Sequence, residues 1–207
     1  MLATRMRIDV WSDFVCPFCY LALPVLERVA LEVPGTEVVW RAFELRPEPF
    51  PTLDPNGDYL RDVWQSSVYP LAEARGMVLR LPPVQPRSRL AHEAVKLAQA
   101  YGAGEALTTA IFQAFFERGA DIGQVEVLVR LCVELGAPAT EVRATLEGSR
   151  FTAAVLEDEA LAAHLKLTAV PAMVVHRAAE PPDRGVLISG IQPFEVVRHV
   201  LERVSVR

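Results

Sequence analysis

The chain has 207 residues, of which 51% are hydrophobic and 23% charged, which is typical of a globular protein with one large domain or a domain carrying an insertion. The net charge of −5, without a run of lysine or arginine, argues against nucleic acid as the main partner. Three cysteines are too few for a disulfide scaffold, and no apolar stretch reaches transmembrane length, so we expect no membrane partner.

The first predicted elements are a strand and a helix that flank a pair of cysteines. Residues 6–11 alternate as in a strand, and apolar residues recur at helical spacing over residues 21–33. Cys16 and Cys19, in the sequence Cys-Pro-Phe-Cys, therefore lie where the strand meets the helix, with Cys16 at the helix start. Free backbone N–H groups and peptide dipoles at that point stabilise a thiolate. Pro17 suits the first helical turn, where its missing N–H costs nothing.

A Cys-x-x-Cys pair also occurs in zinc sites and as inert structural thiols. A zinc site needs four ligands, but the only other cysteine is Cys132 and the four histidines lack ligand spacing, so we predict no metal site. Cys132 belongs to the apolar face of a later helix and is expected in the core. The first residues do not resemble a secretory signal, so we expect a cytoplasmic protein. Thiols are kept reduced there, which favours a catalytic pair.

A second strand is predicted over residues 36–44, and it completes a β-α-β unit. A linker with four prolines follows over residues 46–57, and we expect it to be a stiff surface connection. Residues 58–149 then carry helical patterns separated by glycines.

The last part of the chain is predicted to fold as helix, strand, strand and helix. The first of these strands follows Val170-Pro171, and the second covers residues 186–189. Neither end of the chain has enough strands for a sheet of its own. We therefore predict an α/β fold in which residues 1–57 (β-α-β) and 150–207 (α-β-β-α) form one core, interrupted by an all-helical insertion over residues 58–149.

This order of elements, together with four motifs, resembles the thioredoxin fold of the DsbA family, and more closely its cytosolic FrnE-like branch. The resemblance covers nearly the whole chain and implies a thiol–disulfide oxidoreductase of the reductase or isomerase type. The motifs are residues 9–20 around the cysteine pair, Ser88-Arg89-Leu90-Ala91-His92, Val170-Pro171 before a strand, and Ser189-Gly190-Ile191-Gln192.

The resemblance also implies roles for individual residues. Cys16 is the nucleophile that attacks a substrate disulfide, and Cys19 resolves the mixed disulfide. Pro171 is a cis-proline opposite the pair, and Val170 offers backbone groups to a peptide or to glutathione. Gln192 either caps the last helix or binds glutathione, and capping is favoured. The complete predicted substrate-binding set is Pro17, Phe18, Val170, Pro171, Gly190 and Gln192.

Other side chains near the pair are interpreted from their position. Phe18 and Tyr20 are expected to be exposed toward the substrate. Asp13 and Glu44 are the nearby acids. In thioredoxin-like folds a buried carboxylate beneath the second cysteine can take its proton; Glu44 is a candidate, although a solvated side chain is favoured. His92 falls on an insertion helix that could overhang the site, and a structural role is favoured for it.

The residue before the second cysteine bears on the direction of the reaction. Phe18 cannot donate a hydrogen bond or positive charge to a thiolate, so we expect a reduction potential below that of strong oxidants. We expect no bound cofactor, with glutathione as reductant or co-substrate. The expected partners are disulfide-containing proteins or small thiols, and the expected state is a monomer or homodimer.

Two alternatives remain open from the sequence. The 2-hydroxychromene-2-carboxylate isomerases and kappa-class glutathione transferases look related in architecture, but they generally carry serine where this chain has Cys16. A protein of that kind would use Cys16 for glutathione and would not need Cys19. A non-catalytic holdase would instead use a groove between the insertion and the core.

Overall fold

A four-stranded sheet forms the centre of the molecule in the computed structural model, which describes residues 5–206. The strand order is β2-β1-β3-β4. β1 is parallel to β2 and antiparallel to β3, and β3 is antiparallel to β4. The strands are β1 (Met6–Ser12), β2 (Thr36–Ala42), β3 (Ala172–Arg177) and β4 (Val186–Ser189).

Helices surround this sheet and fill the middle of the chain. A π-helical turn, Trp64–Val68, joins α2 to α3, and a short 3-10 turn, Pro182–Arg184, precedes β4. The α-helices are α1 (Pro17–Glu32), α2 (Asp58–Val63), α3 (Tyr69–Glu73), α4 (Arg89–Ala100), α5 (Gly104–Phe116), α6 (Val125–Glu134), α7 (Ala139–Glu147), α8 (Thr152–His164) and α9 (Phe194–Ser205).

The predicted α/β class is confirmed: β1, α1 and β2 come first, helices α2 to α7 follow, and α8, β3, β4 and α9 complete the sheet. Helices α2 to α7 all fall within residues 58–149. The division into a discontinuous domain and an insertion remains a prediction, because the larger of two hydrophobic clusters runs through both parts.

Aromatic side chains carry that core from the sheet into the insertion. The ring of Phe112 on α5 lies 4.9 Å from Phe14, which precedes the cysteine pair, and 6.4 Å from Trp40 on β2. Tyr20 on α1 stacks on Phe112 and Phe116 at 5.4 and 5.7 Å. Each such pair contributes about 0.5–1.5 kcal/mol beyond its buried area. The start of α1 is therefore fixed against the insertion.

A buried network of charges also ties the sheet to its neighbouring helices. Asp9 on β1 accepts a hydrogen bond from Arg41 at 2.9 Å and pairs with His176 at 2.7 Å. Asp158 on α8 accepts a second hydrogen bond from Arg41 at 2.9 Å and pairs with Lys96 on α4. Because both carboxylates are buried, the network holds α4 and α8 in a fixed position on the sheet.

Candidate active site

Cys16 and Cys19 occupy the first turn of α1, as predicted. Cys16 is the N-cap residue and Pro17 is the first residue of the helix. The Cys16 N–H donates to the carbonyl of Asp13 at 3.1 Å, which closes the turn after β1. Both cysteines are free thiols, with 5% of Cys16 and 1% of Cys19 exposed. The first turn carries no acidic side chain, so nothing within it offsets the positive end of the helix dipole.

The two thiols have different surroundings. Burial raises the pKa of the Cys19 thiol, and the hydrogen bond and charge of Cys16 raise it further. A hydrogen bond from the Asp13 backbone acts in the opposite direction. Cys19 therefore stays protonated, while Cys16 lies at the helix N-terminus beside a cavity. This asymmetry suits one thiol to attack first and the other to follow.

The loop before β3 approaches the cysteine pair from the far end of the chain. The Val170–Pro171 peptide bond is cis, and the Cys16 thiol donates to the Val170 carbonyl at 3.7 Å. The N–H of Gly190 donates to the Pro171 carbonyl at 2.8 Å. Gly190 has a φ of 70°, a backbone conformation that glycine adopts without steric cost. Gly190 thus supports the loop that faces Cys16.

The prediction that Gln192 caps the last helix is wrong. Helix α9 begins at Phe194, its N-cap is Pro193, and no side chain caps it. The Gln192 side chain instead turns back toward the end of β4, where its amide donates to the Ser189 carbonyl at 3.0 Å.

A cavity of about 290 Å³ opens beside Cys16. Pro17, Phe18 and Val170 line it, whereas Pro171, Gly190 and Gln192 lie outside its wall. Among the described residues that line it, Arg46 is the one charged side chain. A cavity of this kind accepts a neutral or anionic ligand with an apolar part. The opposite wall consists of Leu45, Arg46, Thr52, Leu53, Tyr59, Leu60, Val63, Trp64, Gln85 and Pro86.

This opposite wall was missed from the sequence. The proline-rich segment was expected to be only a surface connection, but Arg46, Thr52 and Leu53 face the cavity. Irregular segments have no periodicity that would reveal such a role. The apolar character of Leu53 and Trp64 was the only available signal.

The expected exposure of Tyr20 is also wrong. Tyr20 is buried against α5 and its hydroxyl donates to Glu117. Four residues after Cys16, it lies one helical turn further along α1, on the side that meets the insertion. Phe18 is half-buried and lines the cavity.

The acids near the pair differ from the expected arrangement. Glu44 is buried rather than solvated and forms an ion pair with Arg89. Burial raises the pKa of Glu44, and Arg89 partly offsets this effect. The carboxylate whose charge raises the pKa of Cys19 is that of Asp13, which is fully buried.

Two residues of the insertion are also buried. His92 does not line the cavity but lies inside the protein, with its ring 4.9 Å from Phe14. Cys132 is buried in the core, as predicted, and burial raises its pKa to about 11.

Within residues 5–206, no three His, Cys, Asp or Glu side chains come together to hold a metal ion. No helix in the same range is long and apolar enough to cross a membrane.

Residues 7–202 match the family model of the DSBA-like thioredoxin domain. The chain belongs to this family. The predicted resemblance to the DsbA family is thereby confirmed, and the FrnE-like branch is consistent with the neighbours described next.

Three known proteins illustrate the similarity. The uncharacterized protein YwbO from Bacillus subtilis (strain 168) is 34% identical over 186 residues, which cover 87% of this chain and 92% of YwbO. The crystal structure of the probable DsbA oxidoreductase SCO1869 from Streptomyces coelicolor has a TM-score of 0.79 and 30% identity, covering 96% of this chain and 89% of SCO1869. The cytosolic disulfide reductase DsbM from Pseudomonas aeruginosa, solved with GSH, has a TM-score of 0.69 and 21% identity, covering 97% and 96% of the two chains. The likeness to DsbM concerns the fold alone.

Proposed function

We propose that this DSBA-like protein is a thiol–disulfide oxidoreductase of the reductase or isomerase type. The observation that carries the proposal is the asymmetry of the pair: Cys16 at the N-terminus of α1 beside a cavity, and Cys19 buried and protonated behind it. Such a pair provides one nucleophile that faces the cavity and one resolving thiol behind it.

The proposed reaction has two exchange steps. The Cys16 thiolate attacks one sulfur of the substrate disulfide, the substrate S–S bond breaks, and the leaving thiolate takes up a proton. Cys19 then loses its proton and attacks the Cys16 sulfur of the mixed disulfide, which releases the second substrate thiol. The substrate gains two electrons and two protons, and the protein is left with a Cys16–Cys19 disulfide for a cellular thiol to reduce.

The substrate-binding role proposed for the loop residues follows from their contacts. A substrate sulfur that approaches Cys16 would meet the Val170 carbonyl. In the structure, this carbonyl accepts a hydrogen bond from the Cys16 thiol. Pro17 and Phe18 provide the apolar surface beside it. Pro171, Gly190 and Gln192 would act by holding this loop in place, since they lie outside the cavity wall.

Glutathione is the proposed reductant or co-substrate, and the cytoplasm the proposed compartment. Two observations support this: the likeness to a cytosolic disulfide reductase solved with GSH, and Arg46, which could attract a glutathione carboxylate in the cavity. Disulfide-containing proteins or small thiols remain the proposed partners, and monomer or homodimer remains a prediction.

Insulin reduction driven by glutathione tests the proposal, with the wild type, Cys19→Ser and, as a matched control, Cys132→Ser. We expect turnover to be lost in Cys19→Ser and retained in Cys132→Ser. A Cys19→Ser protein with full activity would instead indicate a glutathione-dependent transferase or isomerase. A redox-inactive Cys16→Ser protein that still fully suppresses aggregation would indicate a holdase.

A further inference from the structure

Asp13 lies at the contact between the cysteine pair and the helical insertion. Its carboxylate is fully buried and accepts hydrogen bonds from the backbone N–H groups of Val15 at 3.3 Å and Leu45 at 2.6 Å. Its backbone carbonyl accepts the Cys16 N–H at 3.1 Å, which places Asp13 at the turn into the cysteine pair, and its charge raises the pKa of Cys19. Asp13 therefore lies beside the pair but has no access to solvent of its own.

His92 reaches the same carboxylate from helix α4. Its Nε2 atom lies 3.8 Å from Asp13 Oδ1, slightly beyond hydrogen-bond distance. His92 is 5% exposed, and across the described residues this Nε2 atom has no hydrogen-bond partner. A buried polar atom without a partner costs free energy, so its persistence in such a position calls for a role.

A small cavity of about 10 Å³ adjoins His92. Ser12 and Trp40 line it too, and within residues 5–206 the Ser12 Oγ and Trp40 Nε1 atoms lack hydrogen-bond partners as well. This volume approaches that of one water molecule, and three polar atoms suffice to hold one. Arg41 and Lys96 also line this small cavity, but both form ion pairs with Asp158.

Glu44 continues the series of titratable groups toward the surface. Glu44 directly precedes Leu45, whose N–H donates to Asp13. The partner of Glu44, Arg89, lies about one turn before His92 on α4. Glu44 pairs with Arg89, whose side chain is 27% exposed, and its N–H donates to Glu159 at 3.1 Å. Asp13, His92 and Glu44 thus connect the buried Cys19 to a partly exposed ion pair.

We propose that His92 acts as a proton relay in the resolving step: it carries the Cys19 proton from Asp13 toward Glu44. The inference rests on the proposed function. As Cys19 attacks the Cys16 sulfur of the mixed disulfide, its proton passes to Asp13, then to His92 and Glu44, and then to solvent. The released substrate thiolate takes up one proton from solvent, so the step is balanced. On this account the insertion supplies a group to the redox reaction.

The test uses 5,5′-dithiobis(2-nitrobenzoic acid), whose reduction by the dithiol releases two coloured thiolates in sequence. In stopped-flow measurements the first phase reports the attack of Cys16, and the second reports the resolution by Cys19. We expect His92→Gln, which keeps hydrogen bonding but does not carry a proton, to slow the second phase at least about tenfold. The first phase should be unchanged. The solvent deuterium isotope effect and the pH profile of the second phase should also change.

The exposed His199→Gln on α9 is the matched control and should behave like the wild type. An unchanged second phase in His92→Gln, or equal slowing of both phases, would overturn the inference. If His92→Gln does not fold, Glu44→Gln decides in the same assay, with slowing of the second phase in support and an unchanged second phase against. If the wild type itself released only one thiolate, as expected for Cys19→Ser, the proposed function would fail instead.

Discussion

Cys16 and Val170 meet through a hydrogen bond of 3.7 Å between the Cys16 thiol and the Val170 carbonyl. This contact joins the start of α1 to the loop before β3, two segments at opposite ends of the chain. It places Cys16 against a backbone edge and beside the apolar wall of the cavity. We expect a disulfide substrate that binds there to replace this hydrogen bond with one of its own, which would align the disulfide with Cys16.

The opposite wall of the cavity beside Cys16 should contribute to substrate binding. Tyr59 lines the cavity, although 63% of the residue is exposed. We expect Tyr59→Ala to raise KM for a disulfide substrate about two- to tenfold, because one aromatic contact is worth about 0.5–1.5 kcal/mol. The melting temperature should hardly change, since the side chain is largely exposed.

Tyr101 provides the matched control for this change. It is 52% exposed and lies on the insertion, outside the wall of the cavity beside Cys16. Steady-state kinetics of Tyr101→Ala should match the wild type. Equal KM values for Tyr59→Ala and the wild type would show that the substrate does not use this wall.

The buried charge network should be important for stability. Asp158 pairs with both Arg41 and Lys96, so Asp158→Ala leaves the largely buried Lys96 without its partner and leaves Arg41 with Asp9 alone. We expect the free energy of unfolding to fall by about 3–5 kcal/mol, the usual cost of breaking a buried pair, because Lys96 loses its carboxylate while Arg41 keeps Asp9. Urea denaturation measures this change.

An exposed ion pair serves as the comparison. On the surface of the insertion, Arg143 Nη2 lies 2.8 Å from Glu126 Oε2. Glu126→Ala should leave the urea midpoint unchanged, because exposed pairs contribute little. Similar effects of the two substitutions would contradict the assigned role of Asp158.

Cys132 should make stability depend on pH in the alkaline range. Its folded pKa is raised from 9.0 to about 11, so the unfolded chain releases this proton more readily than the folded one. The stabilisation is complete below about pH 9 and is lost as the pH rises to about 11. One pKa unit is worth about 1.4 kcal/mol, so roughly 2–3 kcal/mol should be lost over this range.

Comparing urea denaturation of the wild type with Cys132→Ala at several pH values isolates this contribution. The variant should be less stable at neutral pH because of the missing sulfur, but its stability should fall less steeply between pH 9 and 11. Parallel pH curves for the two proteins would show that Cys132 does not titrate as described.

Local patterns were sufficient to predict most of the elements. Apolar and polar residues alternate along β1, and glycines bound β4 on both sides. The insertion helices repeat their apolar residues at helical spacing. The position of Cys16 at the start of α1 follows from the strand, the helix and Pro17 between them. These features depend on neighbours in the sequence, which is why they could be predicted.

Contacts between distant segments could not be predicted in this way. The approach of His92 to Asp13 depends on how α4 packs against the turn after β1, and no local pattern encodes that distance. The same is true of Tyr20, whose burial is decided by the position of α5. The wall that includes Leu53 lies on an irregular segment, whose path depends on tertiary packing.

We expect Cys16 to attack the substrate disulfide first and Cys19 to resolve the mixed disulfide. The most direct measurement is intact-protein mass spectrometry after brief exposure of the reduced wild type, Cys16→Ser and Cys19→Ser to glutathione disulfide. We predict that Cys19→Ser retains one glutathione on Cys16, that the wild type forms the Cys16–Cys19 disulfide without an adduct, and that Cys16→Ser forms no adduct at the pair. A glutathione adduct on Cys19, or a wild type that retains its adduct like Cys19→Ser, would contradict the account.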